Sequence, residues 1–206
     1  MIFNSAHSQE YDYQETPYEI GVDIMPIFGG NNPYSLFFRK NYQTSTGKNR
    51  AWRATISTAN SHNFSDPSIN NNIERTASTN IGFSLGKEFQ KTVTEKIIVY
   101  SGLDLGFHYS GRTYSFDAPA ADLVIIGRKN NTSIYSATLF SGVKYHLSSR
   151  FSVFAELGIE GAYSRSINVV SWGTSNYESR RDRDLTNEQI SYNIIPLRSI
   201  RVAYHF

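Results

Sequence analysis

The sequence contains no cysteine among its 206 residues. Disulfide bonds, thiol catalysis and cysteine-ligated zinc sites are therefore excluded. An excess of one charge is also missing, because 20 Lys and Arg stand against 18 Asp and Glu, for a formal net charge of +2. This balance gives no electrostatic basis for binding nucleic acid, and no motif in the chain predicts a cofactor.

Long hydrophobic runs are missing as well. The longest are Leu123–Ile126 and Ile97–Tyr100, far short of the roughly 20 apolar residues that a membrane-spanning helix needs. A helical membrane protein is therefore excluded. A membrane barrel is not, because its strands alternate between apolar and polar residues and their average hydropathy is low.

Aromatic residues are plentiful, with 14 Tyr and 13 Phe against 2 Trp, a composition that favours β-structure. The carboxyl end shows the underlying pattern most clearly. From Ile200 to Phe206 every second residue is apolar, and the residues between them are Arg201, Ala203 and His205. This alternation predicts a strand with one apolar and one polar face.

Eight segments of this kind divide the chain, most of them near the length of about 9–11 residues that a tilted strand needs to cross a bilayer. They are Tyr18–Phe28, Tyr34–Tyr42, Trp52–Ser57, Asn80–Phe89, Ile97–Tyr109, Tyr135–Leu147, Phe151–Tyr163 and a last strand ending at Phe206. From the second link onward, short turns alternate with the long polar segments 60–78, 110–132 and 164–191, which we expect to be loops. An all-β, eight-stranded antiparallel up-and-down barrel produces this pattern.

Glycine indicates which face of the barrel lies inside. Seven glycines share the polar faces of the predicted strands: Gly21, Gly82, Gly86, Gly102, Gly106, Gly142 and Gly158. The concave interior of a narrow barrel is crowded, so small residues are needed there. A soluble lipocalin-like ligand-binding barrel, the alternative, would enclose the apolar faces instead. We therefore expect a transmembrane barrel with a polar, side-chain-filled lumen.

The apolar faces carry aromatic residues near the strand ends, as expected for belts at the two membrane interfaces. Lys40 and Lys87 share these faces near the rim of short turns, where their amines can reach lipid headgroups.

Inward-facing charges are the main candidate site. By strand parity this lumen charge network consists of Glu19, Asp23, Arg39, Arg53, Glu88, Asp104, Lys144, Glu156, Glu160 and Arg201. Buried charges are tolerated only when they are paired, so we expect them to interlock as a plug that leaves no open pore. Closure of the barrel should bring Arg201 toward Asp23 or Glu19.

Arg198 interrupts the alternation of the last strand, because Ile195 and Leu197 have the opposite parity from Ile200. This predicts a β-bulge near Arg198–Ser199, or a strand that begins near Ser199.

Other motifs are weaker. His108, His146 and His205 point inward, and the last two are expected to meet, but hydrogen-bonded histidines explain them better than a metal site. Gly82–Gly86 matches the G-x-S-x-G nucleophile pattern, but it lies within a strand rather than at a strand-to-helix turn. Ser61, His62, Asp66 and Glu74 lie in the first long polar segment and are residue types used in lipid-modifying chemistry at the rim, but no spacing singles them out.

From Tyr18 to Phe206 the chain resembles the small OmpA/OmpX-type eight-stranded outer-membrane barrels, in its strand rhythm, its loop alternation and its terminal Tyr204-His205-Phe206. The resemblance implies the outer membrane of a diderm bacterium, contact with its lipid and lipopolysaccharide, and assembly by the barrel-insertion machinery through the Tyr204 and Phe206 signal. It implies a structural or surface-contact role without enzymatic activity, with an extracellular ligand or protein meeting the loops. A rim-located lipid-modifying enzyme is the alternative. We expect residues 1–17 to be a tail that includes the remnant of a secretory signal, and 18–206 to be the barrel.

Overall fold

The computed structural model describes residues 16–28, 34–65, 74–116, 124–174 and 177–206, so most of the predicted tail (1–15) lies outside the described residues. Eight strands form a closed antiparallel barrel in which each strand pairs with the next and β8 pairs with β1. The strands are β1 Tyr18–Asp23, β2 Tyr34–Gln43, β3 Asn49–Ser65, β4 Glu74–Thr94, β5 Ile97–Phe116, β6 Val124–His146, β7 Phe151–Thr174 and β8 Tyr177–His205. The predicted eight-stranded up-and-down barrel is confirmed. No helix in these ranges is long and apolar enough to cross a membrane.

One face of each strand is buried and the other is exposed, as the alternation predicts. Outward-facing Leu105 and Leu139 are each 61% exposed, whereas the inward-facing Glu19, Arg39 and Lys144 are fully buried. A lipocalin-like barrel would show the reverse, so that alternative is wrong for this chain. The exterior is apolar and the interior is polar.

The strands beyond β2 are longer than predicted. The segments expected as loops continue as paired strands, because β3 and β4 pair as far as Ser65 and Glu74, and β5 reaches Phe116. Most of the segment 164–191, including the charge run Glu178–Asp184, belongs to β7 and β8. Polar residues dominate both faces in these extensions, with Val169 and Val170 of β7 among the exceptions, so no sustained apolar alternation marks the strands although the backbone pairing continues. Residues 66–73, 117–123 and 175–176 lie outside the described residues.

The first strand is shorter than predicted, because β1 ends at Asp23 and a 3-10 helix covers Met25–Phe28. The Asp23 carboxylate accepts a hydrogen bond from the Met25 N–H (3.0 Å), and the Ile27 N–H donates to the Ile24 carbonyl (3.0 Å). These local bonds compete with strand pairing and turn the chain. The turn predicted at 29–33 lies outside the described residues.

The bulge predicted near Arg198 is confirmed. Glu156 of β7 pairs with Ser199, and Gly158 pairs with Ile195, so three residues of β8 stand opposite Leu157. As a result Arg198 and Ser199 both reach the interior, although they are consecutive in sequence. The bulge adds one more inward cation than regular alternation allows.

Closure of the barrel depends on β1 and β8. Tyr18 and Phe206 exchange both backbone hydrogen bonds, at 3.1 and 2.9 Å. The same pairing sets Asp23 opposite Arg201 and Glu19 opposite His205. The predicted approach of Arg201 to Asp23 is confirmed in the strand register.

The interior glycines make room for aromatic rings. A Cβ added at Gly142 would lie 2.5 Å from the Tyr100 ring, and one added at Gly102 would lie 2.5 Å from the Phe140 ring. Both rings are buried in the lumen. A larger residue at either position has nowhere to go unless the ring moves.

Gly142→Val should therefore lower the free energy of unfolding by about 1–3 kcal/mol, the usual cost of overpacking a core. The urea midpoint of the protein refolded in lipid vesicles measures it. Ser141→Val is the matched control, since Ser141 faces outward on the same strand and is exposed. An equal effect in both variants would contradict this packing.

Candidate functional site

The interior of the barrel holds one fully or nearly fully buried charge from each of the eight strands. These eight residues, here called the interior charge cluster, are Glu19, Arg39, Arg53, Glu88, Asp104, Lys144, Glu156 and Arg201 in strand order. Four are acidic and four are basic, so the formal charge of the cluster is zero. All of them belong to the lumen charge network predicted from parity.

Glu19 of β1 is the first centre of the cluster. Its carboxylate accepts hydrogen bonds from Arg39 (2.7 Å), from the Lys144 ammonium (2.7 Å) and from the Asn41 amide (2.6 Å). Lys144 comes from β6, on the far side of the lumen. Glu19 therefore joins strands that the sheet itself does not pair.

Glu88 of β4 connects this centre to the next. Arg39 donates to it at 2.9 Å, and Arg53 lies 3.4 Å from the same oxygen. The Gln90 amide donates to its other oxygen at 2.8 Å. Acidic and basic groups thus alternate without a break from Lys144 through Glu19, Arg39 and Glu88 to Arg53.

Glu156 of β7 is the second centre. Arg53 holds both of its oxygens, at 2.7 and 2.9 Å, in the two-pronged geometry that makes arginine–carboxylate pairs strong. Tyr100 donates to it at 3.1 Å and Arg201 at 3.5 Å. Burial alone would make this carboxylate very costly, and four donor contacts from three side chains offset that cost.

Asp104 of β5 receives a cation that the sequence pattern did not assign to the lumen. The Arg198 guanidinium donates to it at 2.7 Å, and Arg53 lies 3.2 Å from its other oxygen. Parity had marked Arg198 only as an irregularity. The irregularity was itself the signal that places Arg198 in the lumen, because a bulge turns two consecutive residues to the same side of a strand.

Aromatic rings separate the guanidinium groups from one another. The Arg39 guanidinium carbon lies 4.8 Å from the centres of the Phe37 and Phe154 rings, and that of Arg53 lies 4.0 Å from the Phe140 ring. Arg201 lies 4.7 Å from Phe37. Arginine stacks well on aromatic faces, so the rings both fill the lumen and stabilise its cations.

Asp23 and Glu160, the two remaining members of the predicted network, lie apart from the cluster. They are half-buried and line a cavity of about 460 Å³ on the side of the cluster toward the long hairpins. The other polar side chains that line this cavity are Ser35, Thr55, Ser57, Ser84, His108, Ser136, Arg198 and Arg201. The lumen is therefore closed by the cluster at one level and hollow above it.

The inward-facing histidines lie at two separate levels of the lumen. The rings of His146 and His205 meet, with centres 5.2 Å apart, and the predicted proximity is confirmed. His205 hydrogen-bonds to the Ser152 hydroxyl at 2.9 Å, while His108 lies in the distant cavity. No group of three metal-binding side chains occurs in the part of the chain that the structure describes.

The motifs considered for catalysis stay apart. Ser84 of the G-x-S-x-G match lies in the middle of β4 and lines the cavity. Ser61 and His62 are neighbours on β3, so their side chains leave opposite faces of the strand. The Ser61 hydroxyl forms a hydrogen bond with the Ser78 hydroxyl at 2.7 Å. Asp66 lies outside the described residues.

Tyr204 and Phe206 belong to a cluster of outward-facing rings near the short turns. This turn-side aromatic cluster consists of Tyr18, Phe38, Phe151, Tyr204 and Phe206, with neighbouring ring centres 5.3–6.3 Å apart. Phe107, Tyr135 and Tyr163 form a second group, the hairpin-side aromatic cluster, with centres 5.2 and 6.5 Å apart. The exterior between the two, here called the apolar belt, is rich in exposed aliphatic residues.

Arg201→Met should lower the free energy of unfolding by about 1–3 kcal/mol. Glu156 then loses one donor but keeps Arg53 and the Tyr100 hydroxyl, so the effect is smaller than for loss of a whole pair. The loss of stability is measured by heating samples to a series of temperatures and finding, on a gel, the temperature at which the faster-migrating folded form disappears. Unchanged heat resistance would refute a stabilising role for Arg201.

No family model matches the chain, and no curated protein matches it. The crystal structures of Acinetobacter baumannii CarO and CarO2 each give a TM-score of 0.41. CarO is 12% identical, with 95% of this chain and 99% of that chain covered; CarO2 is 10% identical, with 93% and 98% covered. A likeness of this degree carries no property of those proteins over to this chain.

Proposed function

We propose that this chain is an integral outer-membrane β-barrel protein of a diderm bacterium. Its interior does not conduct ions, and its role is structural or depends on contacts made by its long hairpins. The observation that carries the proposal is the inverted burial of the barrel. Charged side chains fill the centre while Leu, Ile, Val and Phe cover the outside, an arrangement that is stable only when the surroundings are apolar.

The dimensions of the apolar belt support a membrane location. Along β7, Phe151 of the turn-side cluster and Tyr163 of the hairpin-side cluster are 12 residues apart. At about 3.3 Å per residue and a strand tilt of about 40°, this distance is about 30 Å along the barrel axis. The hydrocarbon core of a bilayer is about as thick, and aromatic residues favour its two boundaries.

The interior charge cluster supports the absence of a pore. It crosses the lumen from β6 to β1 and from β3 to β7, with the rings of Phe37, Tyr100, Phe140 and Phe154 packed between the ion pairs. Eight-stranded barrels have interiors just wide enough to be filled by side chains. The protein should therefore show no conductance steps in planar bilayers.

Refolding into phosphatidylcholine vesicles tests the location. We expect β-structure by circular dichroism and faster gel migration of unheated than of heated protein. Failure to insert, or a soluble monomeric barrel without lipid, would overturn the proposal. Regular conductance steps from inserted protein would overturn the closed interior.

The role of the hairpins is tested by shortening one of them. Ala59 and Asn80 are register partners, so residues 60–79 can be replaced by an Asn-Gly turn without touching the cluster or the belt. The shortened protein should insert normally. If cells that depend on the parent protein for envelope integrity or surface contact behave normally with the shortened form, this hairpin has no such role.

A further inference from the structure

Two lysines and a tryptophan stand side by side on the outside of the barrel. In the register of β2, β3 and β4, Lys40 lies opposite Trp52, and Trp52 lies opposite Lys87. The Lys87 ammonium is 5.4 Å from the Trp52 ring, and that of Lys40 is 5.7 Å from the Tyr18 ring. All three side chains are exposed. This row is here called the lysine–tryptophan row.

The row concentrates charge on one side of the barrel. Among the described residues, Lys40 and Lys87 are the outward-facing charges at the turn-side edge of the apolar belt, and the row continues on β5 and β6 through the uncharged Leu103 and Leu139. One step nearer the turns, Arg50 lies over the Phe89 ring at 4.1 Å. Within the described ranges no carboxylate pairs with these three cations. Lysines placed only to reach the headgroup layer need not flank one tryptophan at the same level of the barrel.

An apolar groove begins at this row. It has a volume of about 470 Å³ and runs over β4 and β5 from Trp52 and Lys87 past Leu85, Leu103 and Leu105 to Phe107. Its axis points away from the short turns, toward the middle of the belt. A headgroup held at Lys87 would therefore place an attached acyl chain in the groove.

We infer that the lysine–tryptophan row and this groove form a binding site for an anionic phospholipid of the leaflet on the side of the short turns. The phosphate groups lie between Lys40 and Lys87 against Trp52, and one acyl chain lies along Leu85 and Leu105. The inference rests on the proposed membrane location. Charge complementarity selects the occupant, because two unpaired ammonium groups beside an apolar groove fit a lipid that joins an anion to a hydrocarbon chain.

Trp52 is a reporter inside the site itself. The chain has 2 Trp, so Trp172→Phe leaves Trp52 as the single tryptophan, which is excited selectively at wavelengths where tyrosine does not absorb. The protein is inserted into phosphatidylcholine bilayers that contain acyl-brominated lipid, either phosphatidylglycerol or phosphatidylcholine, at equal mole fraction. We expect brominated phosphatidylglycerol to quench Trp52 with a relative association constant at least fivefold higher, since one lysine near an anionic surface contributes about that factor.

Two sets of variants test the assignment. The double variant Lys40→Gln with Lys87→Gln should bring the ratio of the two association constants to about one. The control variant Lys48→Gln with Lys96→Gln removes the same charge from exposed positions at the turns. It should leave the ratio unchanged. Trp52→Phe with Ile159→Trp moves the reporter to the exposed outer face of β7, where both lipids should quench equally.

Each result has a distinct meaning. Equal quenching of Trp52 by the two lipids, or a preference that survives loss of both lysines, overturns the lipid site and leaves the membrane location intact. If neither brominated lipid quenches Trp52, this residue does not face acyl chains, and the proposed membrane location itself is overturned.

Discussion

Glu156→Met should lower the free energy of unfolding by about 3–5 kcal/mol, the usual cost of breaking a buried ion pair by removing one partner. The variant leaves Arg53 without the carboxylate that held it at 2.7 and 2.9 Å, and it removes the anion nearest to Arg201. Arg53 cannot reach water, because the cluster fills the lumen around it. The urea midpoint of the vesicle-inserted protein, with its slope, gives the change.

A double-mutant cycle separates the pair from the rest of the cluster. Arg53→Met combined with Glu156→Met removes both charges, so the double variant should be more stable than the sum of the single effects predicts, by about 0.5–3 kcal/mol. Additivity would show that the two residues do not interact in the folded protein.

The exposed pair Arg165–Glu188 is the matched control. It joins β7 to the neighbouring β8, with its atoms 3.9 Å apart and both side chains about half exposed. Surface pairs contribute about 0–1 kcal/mol. Replacing either residue by methionine should therefore change the urea midpoint little.

Arg39→Lys should lower the free energy of unfolding by about 2–3 kcal/mol although the charge is kept. The guanidinium of Arg39 donates from its two terminal nitrogens to Glu19 and Glu88, and it lies between the Phe37 and Phe154 rings. An ammonium group is a point charge that cannot span both carboxylates and stack at once.

Arg165→Lys gives the comparison for this variant, since its half-exposed partner can be reached equally well by an ammonium group. A loss of stability at Arg39 no larger than at Arg165 would mean that geometry within the lumen is unimportant and that charge alone counts.

The sequence allowed prediction of the barrel because a strand has a strict period of two. A shift of one residue would turn Leu103 inward and Asp104 outward, so the alternation determines the register as well as the strand. The same parity placed Glu19, Arg39 and Glu156 in the lumen, and its failure at Arg198 revealed the bulge.

The hairpin extensions could not be predicted in this way. Beyond the aromatic cluster of Phe107, Tyr135 and Tyr163 both faces of the strands are mostly polar, as at Arg112 and Thr113 of β5. The apolar period therefore disappears while backbone pairing continues. Sequence reasoning about burial cannot distinguish such a strand from a loop.

The identity of the ion pairs was also beyond the sequence. Parity shows that Lys144 faces inward, but its partner Glu19 lies across the lumen on β1. Which carboxylate it reaches depends on the stagger of the strands and on the space left by Gly102 and Gly142. The row of Lys40, Trp52 and Lys87 emerges only from the pairing of three strands.

The absence of cysteine allows a direct measurement of which face contacts lipid. Four single-cysteine variants are made and spin-labelled in the bilayer-inserted protein. They form two pairs of adjacent positions: Ser84→Cys and Leu85→Cys on β4, and Ser136→Cys and Ala137→Cys on β6. Ser84 and Ser136 line the cavity, whereas Leu85 and Ala137 are exposed on the outside. We expect labels at positions 85 and 137 to be relaxed by oxygen dissolved in the lipid and not by a water-soluble nickel chelate. Labels at positions 84 and 136 should not show this combination. The reverse, with the nickel chelate reaching Leu85 and Ala137, would contradict the apolar face as the lipid-contacting exterior.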